Sequence, residues 1–289
     1  MKLATIRGTD SETFAALLCG DELVELPGFA DVGAYLRADQ IKRAQALRVA
    51  QAEANQNQAT GTLRRVTVAQ ADFAPVVTNP SKVVCVGLNY ENHIKETGNE
   101  TPKFPTLFAK FPDTLTGAFD DIEIPQADHR VDWEVELALV IGAGGRNISA
   151  EQALDAIACY TVANDISMRG YQGRTNEWLQ GKIWDRTTPV GPFMADAAEV
   201  ATDARIYSTV NGETVQDDTI DTQVFSRAEL VAYISTITEL RPGDLILTGT
   251  PAGVAVGRRN DEGRHPWLKP GDEITAGIVG IGEQRNKLV

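Results

Sequence analysis

Cysteine and histidine are scarce in this 289-residue chain, with three of each. Cys19, Cys85 and Cys159 are far apart, each in an apolar or strand-like setting, and there is no C-x-x-C or Cys/His cluster. That argues against zinc and iron–sulfur sites and points to buried thiols in a reducing cytoplasm. No apolar run reaches the roughly 18 residues of a membrane-spanning helix. The opening stretch MKLATIRGTDSETF lacks the apolar core of a signal peptide. Positive charge is in deficit: 27 Lys and Arg against 40 Asp and Glu leave a formal net charge of −13. Nucleic acid and anionic membrane surfaces are therefore poor partners. VIGAGGRNISAEQAL runs strand, glycine loop, helix, but the full G-x-G-x-x-G spacing is missing and Ser149 already explains the helix start. TGTPAGVAVG lacks the Lys-Ser/Thr of a phosphate loop, and reads as a tight turn where backbone approaches a ligand or another strand.

What the chain does contain is a long succession of strand patterns. MKLATIRG and TFAALLCGDELVEL alternate like short strands, with turns around residues 8–11 and 20–22. A helical stretch over 31–54 follows, then a strand in TLRRVTVAQADF, and Pro75 and Pro80 mark a boundary. Beyond it KVVCVGLNY, TLFAKF, EVELALVIG, CYTVANDIS, ARIYSTVNGE, DLILTGT and DEITAGIVG all read as strands. Two helices stand out, one starting at Ser149 with Gln152 in capping-box position and one at Ser226 with Glu229. With turn signals at Asn211-Gly212 and Pro270-Gly271, the pattern predicts a mainly β α+β protein with a rolled or barrel-like mixed core.

Within VDWEVELALVIG, Trp133, Val135, Leu137, Leu139 and Ile141 form one apolar face, while Glu134 and Glu136 share the other. Residues i and i+2 of a strand lie roughly 7 Å apart on one side, where two charges repel by about 2 kcal/mol at an effective dielectric near 20. Either that face meets water, or a cation sits between the carboxylates. Asp165 ends the strand in CYTVANDIS and could be a third acid or a simple turn cap. Together the three would supply hard oxygen ligands for Mg²⁺ or Mn²⁺, and no His or Cys lies close in sequence to favour zinc.

His93 and Glu96, three residues apart in a short helical turn, share a face. They could be a general base with its orienting carboxylate, or a surface pair. The polar stretch 95–104, containing Gly98, could be a mobile lid. His129 and His265 read as exposed loop residues. Lys110, Arg169, Gln172 and Lys182 are the remaining candidates. Arg169 could grip a substrate carboxylate or lie on the surface; Lys182 could bridge to the acidic cluster.

The set VGLNYENHIKETG, PTLFAKFPDTLTG, VDWEVELALVIG, YTVANDISMRGYQ, QGKIWDRTTPVGP and LRPGDLILTGTPAGV, over residues 80 to 289, resembles the fumarylacetoacetate hydrolase family. The resemblance implies a mixed β-roll catalytic domain over 76–289, a small N-terminal α/β unit over 1–75 and a homodimer. It implies one Mg²⁺ or Mn²⁺ per chain on Glu134, Glu136 and Asp165, a catalytic His93–Glu96 dyad with Lys182, and substrate contacts at Lys110, Arg169, Gln172 and Thr250. Two departures stand out. Gly170 and Tyr171 replace an Asp-aromatic pair, and GRRNDEGRHPW is longer than the usual link; both bear on the far end of the substrate. The activity expected first is hydrolysis of a C–C bond in a small 2,4-dioxo acid, with fumarylpyruvate the preferred acylpyruvate. Oxaloacetate decarboxylation comes second and 2-hydroxydienoate hydration or isomerisation third. A catalytically inert metal-binding scaffold is the non-enzymatic alternative.

Overall fold

The computed structural model describes residues 1–9, 12–55 and 63–289. Asp10 and Ser11 of the first expected turn and Thr62 of the third expected strand lie outside the described residues. The fold is mainly β. Ten strands form one mixed sheet in the order Arg65–Thr67, Glu22–Glu25, Thr13–Cys19, Lys2–Arg7, Met194–Asp196, Ile157–Asn164, Val135–Ile141, Leu245–Leu247, Val83–Gly87 and Thr106–Lys110. The sheet stays open, with Arg65–Thr67 and Thr106–Lys110 at its edges, so the rolled core does not close into a barrel. Residues before 75 contribute four of these strands. They join the rest where Lys2 and Leu3 pair with Ala195 and Met194.

Strand Val135–Ile141 is buried along its whole length between two antiparallel neighbours. Because side chains alternate, it feeds two cores. Val135, Leu137, Leu139 and Ile141 pack with Leu230, Val231 and Ile234 of helix Arg227–Ile237. Ala138 and Val140 pack with Val83, Cys85, Leu245 and Leu247. A second, four-stranded antiparallel sheet (Glu213–Thr219, Arg205–Val210, Glu273–Ile278, Gly282–Lys287) supplies Ile206, Ala276 and Ile278 to the first of these cores. Its Asn211-Gly212 turn forms as expected, both residues taking the positive φ of a two-residue hairpin loop.

The expected helix over 31–54 is two helices, Val32–Arg37 and Gln40–Ala54. Asp39 causes the break: its carboxylate accepts from Lys42 N–H at 2.9 Å and starts a new helix. The capping box at Ser226 and Glu229 forms. The one expected at Ser149 and Gln152 does not. Ser149 heads helix Ala150–Ala156 without a side-chain cap bond.

Candidate active site

Glu134 lies just before strand Val135–Ile141, not within it. Its N–H donates to Asn164 Oδ1 at 3.0 Å, and its carbonyl accepts from Asp165 N–H at 2.9 Å. This pairing brings Asp165 alongside the two glutamates. Carboxylate oxygens of Glu134, Glu136 and Asp165 all lie within 4.8 Å of one another, and the residues are 6%, 1% and 0% exposed. The solvated-face alternative is thereby excluded.

Buried cations sit against this cluster. Lys182 Nζ donates to Glu134 Oε2 at 2.6 Å and Asp165 Oδ2 at 3.0 Å. Lys110 Nζ donates to Asp165 Oδ1 at 2.6 Å and also to the Lys182 carbonyl. The two glutamates respond in opposite directions. Burial works to raise Glu134, but Lys182 and Arg169 outweigh it and hold its pKa at about 2. Burial pushes Glu136 well above the usual carboxylate range, and the charges of Asp165 and Glu134 push it further, with Lys182 and the Gly249 N–H opposing. That N–H, 2.7 Å from Oε2, is the single hydrogen bond to the Glu136 carboxylate among the described residues.

The glycine turn in TGTPAGVAVG aims backbone donors at carboxylates. Gly249 serves Glu136, and Gly253 N–H reaches both oxygens of Glu96 at 3.1 and 3.0 Å. Gly253 has φ +106°, and a Cβ there would fall 1.9 Å from the Val215 carbonyl oxygen, so a side chain is excluded. Glu96 Oε1 in turn meets His93 Nδ1 at 2.8 Å, which leaves Nε2 as the free ring nitrogen. His93 is 7% exposed, so the pair is not a surface pair.

Each nitrogen of Arg169 already donates to a neighbouring side chain. Nε donates to Asp132 Oδ2 at 2.8 Å, Nη1 to Gln172 Oε1 at 2.7 Å and Nη2 to Glu134 Oε1 at 2.5 Å. It orients Glu134 and lines the cavity, so it does not lie on the open surface. Lys110 sits behind Asp165 with a fully buried side chain, away from the cavity wall where a substrate contact would be. Thr250 lines the cavity, but its hydroxyl donates to Val135 O and accepts from Gln216, both at 2.8 Å. Asp132 and Gln216, which positioned these groups, were not among the expected site residues. Asp132 precedes Glu134 by two residues and so belonged to the same acidic pattern; Gln216 gave no local signal.

Both departures from the family pattern have a place. A Cβ on Gly170 would lie 2.6 Å from Asp128 Oδ1, and Asp128 caps Tyr171 N–H and Arg130 N–H from that space at 3.0 and 2.9 Å. Asp128 thus fills the space at residue 170, which holds up the turn and does not border the main cavity. In GRRNDEGRHPW, His265 is half-buried and stacks on Trp267 with ring centroids 4.7 Å apart, contrary to the expectation of an exposed loop histidine.

A cavity of about 450 Å³ gathers His93, Glu134, Glu136, Arg169, Gln172, Lys182 and Thr250 on its walls. The donor set fits a hard divalent cation. Three carboxylate oxygens converge, and with Glu136 ionised, four acids (Asp132, Glu134, Glu136, Asp165) face three fixed cations (Lys110, Lys182, Arg169). Glu136, with one donor for a buried carboxylate, is the residue left for an ion to satisfy.

An open mixed sheet carries a buried triad of acids and, near it, a His–Glu pair. The chain belongs to the fumarylacetoacetate hydrolase family: the family's C-terminal domain, described as fumarylacetoacetate (FAA) hydrolase C-terminal, matches residues 82–289. Among curated relatives, mitochondrial oxaloacetate tautomerase FAHD2A of Homo sapiens is 42% identical over 224 residues, covering 76% of this chain and 70% of that one. Among solved structures, fumarylpyruvate hydrolase of Pseudomonas aeruginosa, in complex with Mn²⁺ and pyruvate, is 33% identical with a TM-score of 0.65, covering 75% of this chain and 91% of that one. A 5-carboxymethyl-2-hydroxymuconate delta-isomerase from Mycobacterium smegmatis is 26% identical with a TM-score of 0.77, covering 100% and 99%.

Proposed function

We propose that this protein is a divalent-cation-dependent enzyme that interconverts the keto and enol forms of a 2-oxo dicarboxylate, with oxaloacetate the favoured substrate. One observation carries the reading: Glu134 and Glu136 of the acid triad and His93 of the His93–Glu96 dyad line the same cavity. Similarity to the oxaloacetate tautomerases supports it over the hydrolysis expected first. Mg²⁺ or Mn²⁺ held by Glu134, Glu136 and Asp165 would supply a Lewis acid for the 2-oxo and adjoining carboxylate oxygens.

His93, oriented through Nδ1 by Glu96, takes the proton from C3 at Nε2. The C–H electron pair becomes the C2–C3 double bond, and the 2-oxo oxygen gains the charge. Transfer of the proton from His93 Nε2 to that oxygen completes the enol and regenerates the base, and the reverse sequence returns the ketone. Lys182, kept protonated by Asp165 and Glu134 against the effect of burial, stabilises the oxygen's developing charge. Decarboxylation of oxaloacetate would start from the same bound keto form but break C3–C4, releasing CO₂ and leaving a pyruvate enolate, and so competes with tautomerisation.

Acylpyruvate hydrolysis is the second reading, supported by the fumarylpyruvate hydrolase neighbour. There His93 would activate water instead of a C–H bond. A homodimer and a small 2-oxo acid substrate follow from the family resemblance. Three free cysteines fit a reducing compartment, with the cytoplasm still the expectation, although the human relatives are mitochondrial. Among the described residues no helix is long and apolar enough to cross a membrane.

A side-by-side assay of oxaloacetate, acetylpyruvate and fumarylpyruvate with Mg²⁺ and Mn²⁺ tests the reading. The expected result is fast enol–keto equilibration of oxaloacetate, reduced by about 10²-fold or more in His93→Ala. Cleavage of the acylpyruvates with no effect on oxaloacetate equilibration would replace it with hydrolysis.

A further inference from the structure

A second cavity, of about 580 Å³, is lined by Arg130, Arg169, Val256, Arg264, His265 and Trp267. Arg169 and Val256 wall the central cavity as well, so the two spaces share a boundary. No acidic side chain lines the second one. Its three arginines are not equivalent. Arg169 is held by Asp132, Glu134 and Gln172. Arg264 pairs with Glu262 on the solvent side. Arg130 is exposed, and its guanidinium has no ion pair or hydrogen bond among the described residues; the bonds of residue 130 are made by its backbone. His265 is held in place by its stack on Trp267 and its ring contact with the Ala255 carbonyl at 3.0 Å.

The segment that carries this chemistry is tied to the metal-binding side of the site. Asp132 accepts from Ala255 N–H at 2.6 Å and Val256 N–H at 3.0 Å, and holds Arg169 with its other contacts. The start of the long link is thus anchored to the group that orients Glu134. The link's own residues, Arg264 to Trp267, then fold back to form the second cavity's wall.

We infer that Arg130 and Arg264, with His265 and Trp267 as the wall behind them, form a subsite for the second carboxylate of a dicarboxylic 2-oxo acid. The inference rests on the reading of the central cavity as a 2-oxo acid site and extends it to the other end of the substrate. The 2-oxo end needs the acid triad and Lys182. Arg169 is already held by Asp132, Glu134 and Gln172, whereas Arg130, on the wall of the adjoining cavity, keeps its whole guanidinium free of partners among the described residues. Specificity for a diacid over a monoacid then comes from the link segment that carries Arg264, His265 and Trp267.

The probes are 2-oxoglutarate and 2-oxovalerate, which have the same chain length and differ by the terminal carboxylate. Their affinities for the full chain with Mg²⁺ present are read by calorimetry, independently of turnover. The wild type is expected to bind the diacid about tenfold or more tightly than the monoacid, as charge-assisted hydrogen bonds to one carboxylate would give. In Arg130→Ala/Arg264→Ala the ratio falls to near one while 2-oxovalerate affinity holds; Arg130→Lys/Arg264→Lys keeps most of the preference. No preference in the wild type, a preference that survives the alanine pair, or equal loss for both ligands overturns the subsite. The outcome is separable from the tautomerase reading. A protein with no effect on oxaloacetate equilibration but an Arg-dependent diacid preference loses only the reaction assigned to it.

Discussion

Asp132 and Glu136 are buried acids four residues apart on one segment, and they are satisfied in opposite ways. Asp132 accepts from Trp133, Ala255 and Val256 N–H groups and from Arg169, so every lone pair that matters has a donor. Glu136 has the Gly249 N–H and two acidic neighbours. A carboxylate with a full set of donors is a structural anchor, and its charge is already answered within the fold. A buried carboxylate with one donor, facing like charges, stays ionised only if something from outside joins it. The contrast separates the anchor of the Ala255 turn from the ion-binding centre next to it, although both are acids in the same strand-forming stretch.

The largest effect expected is at the under-satisfied acid. Glu136→Gln should keep the fold, because the amide oxygen can still accept from Gly249, but should lower metal-dependent turnover by about 10³-fold, a loss on the scale of a removed charge-stabilising group. Steady-state kinetics against Mg²⁺ concentration would read it, and unchanged activity would place the ion elsewhere. Asp132→Asn tests the other side. It sets an amide against three backbone donors and Arg169, and breaking a buried ion pair costs about 3–5 kcal/mol. Chemical denaturation should show that loss, together with a weaker metal site through the freed Arg169. A variant as stable as wild type would mean Asp132 is no anchor. Smallest is Ser226→Ala, outside both centres, which removes a complete capping box for about 1 kcal/mol and leaves activity alone.

The comparison carries a pH consequence. Glu136 has its carboxyl raised in the ion-free fold, so its contribution to stability is full below the ordinary carboxylate range and is lost as pH rises through the raised value. Ion-free protein should therefore melt lower at neutral pH than at mildly acidic pH. Added Mg²⁺ or Mn²⁺ should restore the difference by mass action, and Glu136→Gln should abolish the restoration.

Much of this centre was legible in the chain because its chemistry is local. Glu134 and Glu136 stand out in an apolar strand, and Asp165 sits where the next strand ends; pairing of those two strands then does what spacing implied. His93 and Glu96 are one helical turn apart, and the helix delivers them together. The failures involve longer range. Which nitrogen of Arg169 meets which partner depends on Asp132, 37 residues away, so a cation beside an acid motif reads equally as a substrate grip or as a strut. Lys110 comes from the sheet edge, and only the fold shows that it passes behind Asp165. Strands Glu213–Thr219 and Gly282–Lys287 carry polar side chains such as Gln216 and Gln284 into buried positions, where periodicity of apolar residues has nothing to detect.

The most direct test is a calorimetric titration of Mn²⁺ into ion-free protein near neutral pH. Three carboxylates that share a single ion predict one bound Mn²⁺ per chain, and loss of that binding in Glu136→Gln. Absence of binding, or binding that Glu136→Gln leaves untouched, would contradict the account.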